Sequence, residues 1–244
     1  MPGADRLRAL ARWGAFFAVH GYDPAVPPGP PWRPMRELAD DPAAFADRVE
    51  QVRSGLATAA GIPRAAVESR VAVSVAQLGL VARLLSPVLA LALDGGPVEP
   101  LPLSGPYWQP ALGGPFPLAL PYPSTGAPAS TDPARTAAAV HASVLDAAVR
   151  DLVEVAGRWP LSARIRWGNV ASALGGAATV LAAARPDRRA DTVALLAELL
   201  RTPLLRGTAT LDAGGRLRRT SCCLIYRTAG RAEPGNLCGD CVLA

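Results

Sequence analysis

Apolar residues recur at helical spacing along most of the chain as far as Pro203, and proline or glycine punctuates each run. Leu7, Leu10, Ala11 and Phe17 give one apolar face to a helix over 5–20, after which the Pro/Gly-rich stretch 24–34 turns the chain. Asp41-Pro42 supplies an N-cap and a first-turn proline for a helix to about Gly61. Pro63 restarts the chain into 71–93, the longest apolar run, which stops at Asp94-Gly95-Gly96. That run is long enough to span a bilayer, but Gln77, Arg83 and Ser86-Pro87 break it near the middle, so the pattern predicts a buried, kinked core helix.

Prolines then recur every few residues over 97–133, which excludes continuous helix and leaves short edge strands or extended loops to carry Tyr107, Trp108, Phe116 and Tyr122. Such a segment either lines a ligand cleft or covers the helical core. Thr131-Asp132-Pro133 caps a further helix to about Gly157, with Val140, Val144, Ala148, Leu152 and Val155 on one face. Trp159-Pro160 ends it, and helices over 165–184 and 187–201 follow. The period then changes: 208–211 and 217–226 are β-prone runs joined by Asp212-Ala213-Gly214-Gly215, a hairpin whose second strand leads into Cys222. The expected fold is mainly α (α+β). A helical main domain, 1–205, carries the irregular proline-rich segment 97–133, and a C-terminal region, 206–244, carries the hairpin and a cysteine-bearing tail. No internal repeat is visible.

Composition narrows the function. A chain of 244 residues, 50% hydrophobic with mean hydropathy +0.20, is long enough for a substantial core. Its 25 basic side chains are all arginine, giving a net charge of +5 and a supply of planar forks that grip carboxylate or hydroxamate oxygens. Codon bias in a GC-rich genome would also produce arginine without lysine. The arginines are scattered and aromatics make up only 5%, so no nucleic-acid stripe or stacking platform is expected. Arg6, Arg8 and Arg12 interrupt the apolar residues of the amino terminus, which points away from export and from a transmembrane segment and towards the cytoplasm. In that reducing compartment close thiols are read as metal ligands before disulfides. His20 and His141 sit beside helical apolar positions and are expected in core or surface roles. No carboxylate pair, nucleophile triad, P-loop or dinucleotide fingerprint is present.

All four cysteines fall at the end: Cys222-Cys223, then 14 residues (224–237), then Cys238-Gly239-Asp240-Cys241. The Cys-x-x-Cys half closes a tight turn with backbone N–H groups directed at bound sulfur, Gly239 being free to take positive φ. In a regular strand Cys222 and Cys223 would face opposite sides of the sheet, so the strand must bulge or end there for both to bind one centre. The residues leave three states open: an iron-sulfur cluster, a structural zinc site, or free or disulfide-forming thiols. Zinc favours two separated Cys-x-x-Cys units, which the adjacent pair does not supply.

This signature, in Arg219-Thr220-Ser221-Cys222-Cys223-Leu224-Ile225-Tyr226-Arg227 and Leu237-Cys238-Gly239-Asp240-Cys241-Val242-Leu243, resembles that of the FhuF-like ferric siderophore reductases. Upstream, Arg166-Trp167-Gly168-Asn169-Val170-Ala171-Ser172-Ala173 looks like the family's Trp-Gly-Asn helix start, and Ala82-Arg83-Leu84-Leu85-Ser86-Pro87 like its Arg-Leu-x-Ser-Pro segment. By order and spacing the likeness covers about two-thirds of the chain. The segment between the cysteine pairs is longer here than in the family, and the excess falls in the turn-forming 229–235, where insertion costs little closure entropy.

The resemblance implies a [2Fe-2S] cluster held by Cys222, Cys223, Cys238 and Cys241, one-electron reduction of Fe(III) in a hydroxamate-type siderophore, and release of Fe(II). A ferredoxin-like protein would supply the electron. Arg83, Arg166, Trp167 and Asn169 become candidates for chelate contact, with packing and capping as competing roles for Trp167 and Asn169. Arg216, Arg218, Arg219, Arg227 and Arg231 bracket the cysteines. They are expected either to raise the cluster's potential and draw in an anionic chelate, Arg218 and Arg219 foremost, or to remain solvated on a hairpin edge. The rival function is a non-enzymatic siderophore-binding or regulatory protein with a four-cysteine zinc site.

Overall fold

The computed structural model describes residues 2–111, 114–123, 130–228 and 237–243. The turn-forming insert 229–235, with Arg231, lies outside them. Helix α1 (Pro2–Ala9) passes through a 3-10 turn at Leu10–Trp13 and ends at Gly14, whose φ of 112° few other residues tolerate. The helix expected to run to His20 therefore stops early. His20 instead opens strand β1 (His20–Tyr22), drawn off by pairing with a segment about a hundred residues later, which helical periodicity cannot register.

Strand β2 (Arg33–Pro34) leads through the short α2 (Glu37–Asp40) into α3 (Pro42–Ala60). Asp41 caps α3 as its sequence predicts, accepting from Ala43 N–H, and Gly61 ends it at φ 62°. Helix α4 (Ser69–Leu93), with Pro87 inside it, is the central element. It is long and apolar enough to cross a membrane, and most of it is buried between α7 on one side and α3, α5 and α6 on others.

The proline-rich segment contributes β3 (Tyr107–Trp108) and β4 (Leu118–Pro121) to a sheet ordered β1-β4-β3-β2, in which β1 and β4 run parallel. Of the two roles expected for it, the segment covers the core: Trp108, Phe116, Leu118 and Leu120 are buried there, and Trp108 Nε1 donates to Glu37 Oε1 at 2.7 Å. It also explains an unexpected break in the next helix. Helix α5 (Pro133–Val140), capped by Asp132, continues as a π-helical stretch, His141–Val149, before α6 (Arg150–Ala156). The backbone of Leu101 enters the ladder there, its N–H bonding Ser143 O at 2.8 Å and its carbonyl accepting from Ala148, so the wider turn satisfies an inserted loop residue.

Helix α7 (Ala163–Ala184), capped by Ser162, is rich in glycine and alanine. Its small side chains admit α4 on one face and the β5–β6 hairpin (Ala209–Leu211, Leu217–Arg219) on another, and a Cβ on Gly175 would sit 2.9 Å from Leu217. Helix α8 (Arg189–Arg201) completes this side. Ala209, Leu217 and Leu224 join the same hydrophobic core as the helices. The mainly α architecture with small sheets is the fold class the sequence predicts.

Candidate metal centre

Strand β6 ends at Arg219, not at 226 as its β-propensity suggests. Two-residue alternation points Leu217 and Arg219 inward and Arg218 outward. Beyond it the backbone is tied down on the start of α7: Arg164 donates to Thr220 O at 2.8 Å, and Ser221 Oγ donates to Arg164 O at 3.1 Å. Leaving the strand removes the alternation that would separate Cys222 from Cys223. Leu224 follows at φ 73°, a strained conformation for a branched side chain, and a 3-10 turn, Ile225–Thr228, comes next. The positive φ expected at Gly239 is absent; the Cys-x-x-Cys turn closes with Cys241 N–H on Cys238 O at 3.0 Å, a bond that ordinary dihedrals satisfy.

These two segments bring the four sulfurs together. Cys223 Sγ and Cys238 Sγ are 3.6 Å apart, and Cys241 is near enough to Cys222 to act on its charge. None of the four is joined in a disulfide. Two thiolates on one tetrahedral metal, at about 2.3 Å each, sit about 3.8 Å apart, so the first pair already has ligand spacing. Among the described residues no group of three or more His, Cys, Asp or Glu side chains stands close enough together to hold a metal ion; the close sulfur contact is that of Cys223 with Cys238. Backbone donors face them: Leu224 N–H points at Cys222 Sγ and Leu243 N–H at Cys241 Sγ, both at 3.3 Å. Such N–H···S contacts stabilise thiolate ligands.

The environment favours negative charge on one sulfur, that of Cys223. Hydrogen bonding from the Cys238 thiol, helped by Ile225 N–H and Arg219 and opposed by burial, pushes Cys223 down to about 6. The shared proton and burial push Cys238 up, and burial pushes Cys222 up. Arg219 is 1% exposed, and its Nε and Nη1 find no partner, nor does Asp240 Oδ2. A buried guanidinium with unused N–H groups, near enough to Cys223 to act on its charge, suits an anionic group at this position.

The candidate substrate contacts separate. Asn169 is fully buried and does reach the centre's surroundings, accepting from Arg219 Nη2 at 2.6 Å. Trp167 is half-buried against the core, and Arg166 donates to Val153 O at 2.6 Å. Arg83 lies elsewhere, 2% exposed, with its fork on the carbonyls of Phe16, Ala18 and Phe116; burial lowers it to about 10. Of the described arginines that bracket the cysteines, Arg219 alone is buried. Arg227 pairs with Glu68 at 2.7 Å, and Arg216 and Arg218 are exposed. His20 stacks edge-on with Trp32, and His141 lies in the π-helical stretch.

Sequence reasoning missed the polar support behind Asn169. Its Nδ2 bonds Ser74 O, Ser74 Oγ and Gln77 Oε1 at 3.0, 3.1 and 2.7 Å, while Gln77 Nε2 donates to Arg166 O at 3.2 Å. The available signal was Ser74 and Gln77 one turn apart inside an otherwise apolar helix, a spacing that puts both on one face. No family model, curated protein or solved structure matches the chain.

Proposed function

We propose that the chain is a cytoplasmic ferric-chelate reductase that binds a [2Fe-2S] cluster through Cys222, Cys223, Cys238 and Cys241, as its resemblance to the FhuF-like siderophore reductases implies. The observation that carries this reading is the meeting of the Cys222-Cys223 doublet with the Cys238–Cys241 turn, Cys223 Sγ lying 3.6 Å from Cys238 Sγ. Cys222, Cys223, Cys238 and Cys241 would supply the four thiolates by which a protein holds a [2Fe-2S] cluster.

When bound, the cluster supplies a one-electron carrier. The protein's part is to hold and tune it: backbone N–H groups of Leu224 and Leu243 support the sulfurs, and Arg219 offsets their charge. Cys238 is half-buried while Leu237 and Leu243 beside the turn are exposed, which leaves an apolar rim within reach of a chelate or a donor protein. The substrate is Fe(III) in a hydroxamate-type siderophore. Hard oxygen donors hold Fe(III) far more strongly than Fe(II), so one electron loosens the chelate. That electron comes from a separate reduced protein such as a ferredoxin, and no general acid or base is required.

Anaerobically purified protein should be red-brown, contain iron and acid-labile sulfide in equal amounts, and reduce a ferric hydroxamate when a ferredoxin system and a ferrous trap are present. A colourless protein containing one zinc per chain would replace this reading with the non-enzymatic one.

A further inference from the structure

Resting on that reading of the sulfur centre, we infer that Arg219 is its fixed counter-charge and that Asn169 is the positioning residue that aims Arg219 at it. Arg219 has no carboxylate within ion-pair distance among the described residues, although it is 1% exposed. One of its nitrogens, Nη2, is used by Asn169; the others, Nε and Nη1, are enclosed and unpartnered. A guanidinium is not retained in such a place for packing alone, because burial without an anion is costly. The anion is the centre. Four thiolates around either two irons or one zinc leave a net charge of about −2, and Arg219 stands three residues before Cys222 with its backbone bonded to Asp240, between Cys238 and Cys241.

Its position is fixed from two sides. The backbone N–H of Arg219 bonds Asp240 O at 3.0 Å, locking the strand end to the Cys-x-x-Cys turn. From behind, Ser74 and Gln77 of α4 occupy the amide nitrogen of Asn169, which leaves its oxygen as the one atom turned to Arg219. Gly168 clears the way, since a Cβ there would lie 3.1 Å from Arg219 Nη2. Asn169 thus acts through Arg219 and touches no reacting atom.

A fixed positive charge stabilises the more negative, reduced centre most, so it raises the potential. It also makes Arg219 a burden on the metal-free protein and an asset to the loaded one. Arg219→Gln, Arg219→Lys and Asn169→Asp are compared with wild type after reconstitution with ferrous iron and sulfide, by redox titration and by thermal unfolding of loaded and metal-free forms. Arg219→Gln should cut the reduced-to-oxidised ratio at a fixed solution potential at least tenfold, about 59 mV for one electron. Its metal-free form should unfold no earlier than wild type, and Arg219→Lys should recover most of the potential. Asn169→Asp keeps the shape and can neutralise Arg219 but loses the amide's donors to Ser74 and Gln77. It should lower the potential in the same direction, with Asn169→Leu, which loses the same donors without adding charge, as its control, and the pair decides the matter if Arg219→Gln does not fold. An unchanged potential in these variants, or equal destabilisation of loaded and metal-free forms, overturns the inference. If wild type takes up zinc alone, the reductase reading falls separately. The counter-charge then stands on an at least tenfold weaker zinc affinity in Arg219→Gln, and falls if the affinity is unchanged.

Discussion

Gly168 lies flat against Ser221, close enough that a Cβ on the glycine would sit 2.2 Å from Ser221 Oγ. The absence of a side chain is what lets the end of the hairpin settle on the first turns of α7 and deliver the cysteine doublet. Gly168→Ala should therefore overpack this junction at a cost of about 1–3 kcal/mol and lower Tm by several degrees. Because the displaced residues lead directly into Cys222, iron and sulfide retention should fall with it. Wild-type retention, measured by metal analysis after gel filtration, would show that Ser221 rotates away harmlessly.

Cys238 supplies a sulfur and little core. The described tail 237–243 buries only Cys241, while the largest buried side chains, among them Trp108, Phe17, Phe45 and Met35, all lie upstream of it. Cys238→Ser should then abolish the stable cluster and its visible absorption yet leave a cooperative thermal transition and the helical circular dichroism of wild type. Loss of cooperative unfolding in the variant would show that the centre is also a structural staple.

The parts of this fold legible in the sequence are those set by local rules. Asp41-Pro42 and Asp132-Pro133 marked helix starts because capping and proline geometry act over three or four residues, and both caps are made. The cysteine spacing likewise announced that the two cysteine-bearing segments would meet, as Cys223 and Cys238 do. What escaped depends on distant partners: His20 pairs with Ala119, Leu101 opens the helix at Ser143, and Arg219 meets Asn169 across 50 positions. Arg83 and Asn169 looked alike as candidate contacts, since sequence shows a polar residue in an apolar run but not what that residue faces.

Arg83 gives the sharpest separation of structural from substrate roles. Its guanidinium satisfies three backbone carbonyls from the N-terminal segment and the proline-rich segment, joining both to α4. Arg83→Met keeps most of the volume but leaves those carbonyls without a donor, which should cost about 2–4 kcal/mol. Tm should drop while the cluster's spectrum and potential stay those of wild type. A raised KM for a ferric hydroxamate at unchanged Tm would instead make Arg83 a chelate contact.

Glu68 ties the cysteine doublet to the central helix by charge. It occupies the N-cap of α4, yet its side chain makes no capping bond and is taken by Arg70 and Arg227, the latter in the turn just after Cys222-Cys223. Hydrogen bonding from Arg70 first, and then the charge of Arg227, hold the Glu68 carboxyl below its ordinary value of 4.5. A depressed acid stabilises the folded state above its unfolded pKa, so the contribution is complete at pH 7 and disappears as pH falls below 4.5 through the lower folded value. The group is exposed, so the effect is small and salt-sensitive. Glu68→Gln should speed amide exchange at 225–228 at pH 7, where wild type keeps the ion pair. The difference should shrink in about 1 M salt, where screening reaches within about 3 Å. It should shrink again at a pH below the folded pKa of Glu68, where wild type has lost the same charge. Exchange that differs equally under all three conditions would mean that Glu68 holds the turn by shape, and that the cysteine doublet is not anchored electrostatically.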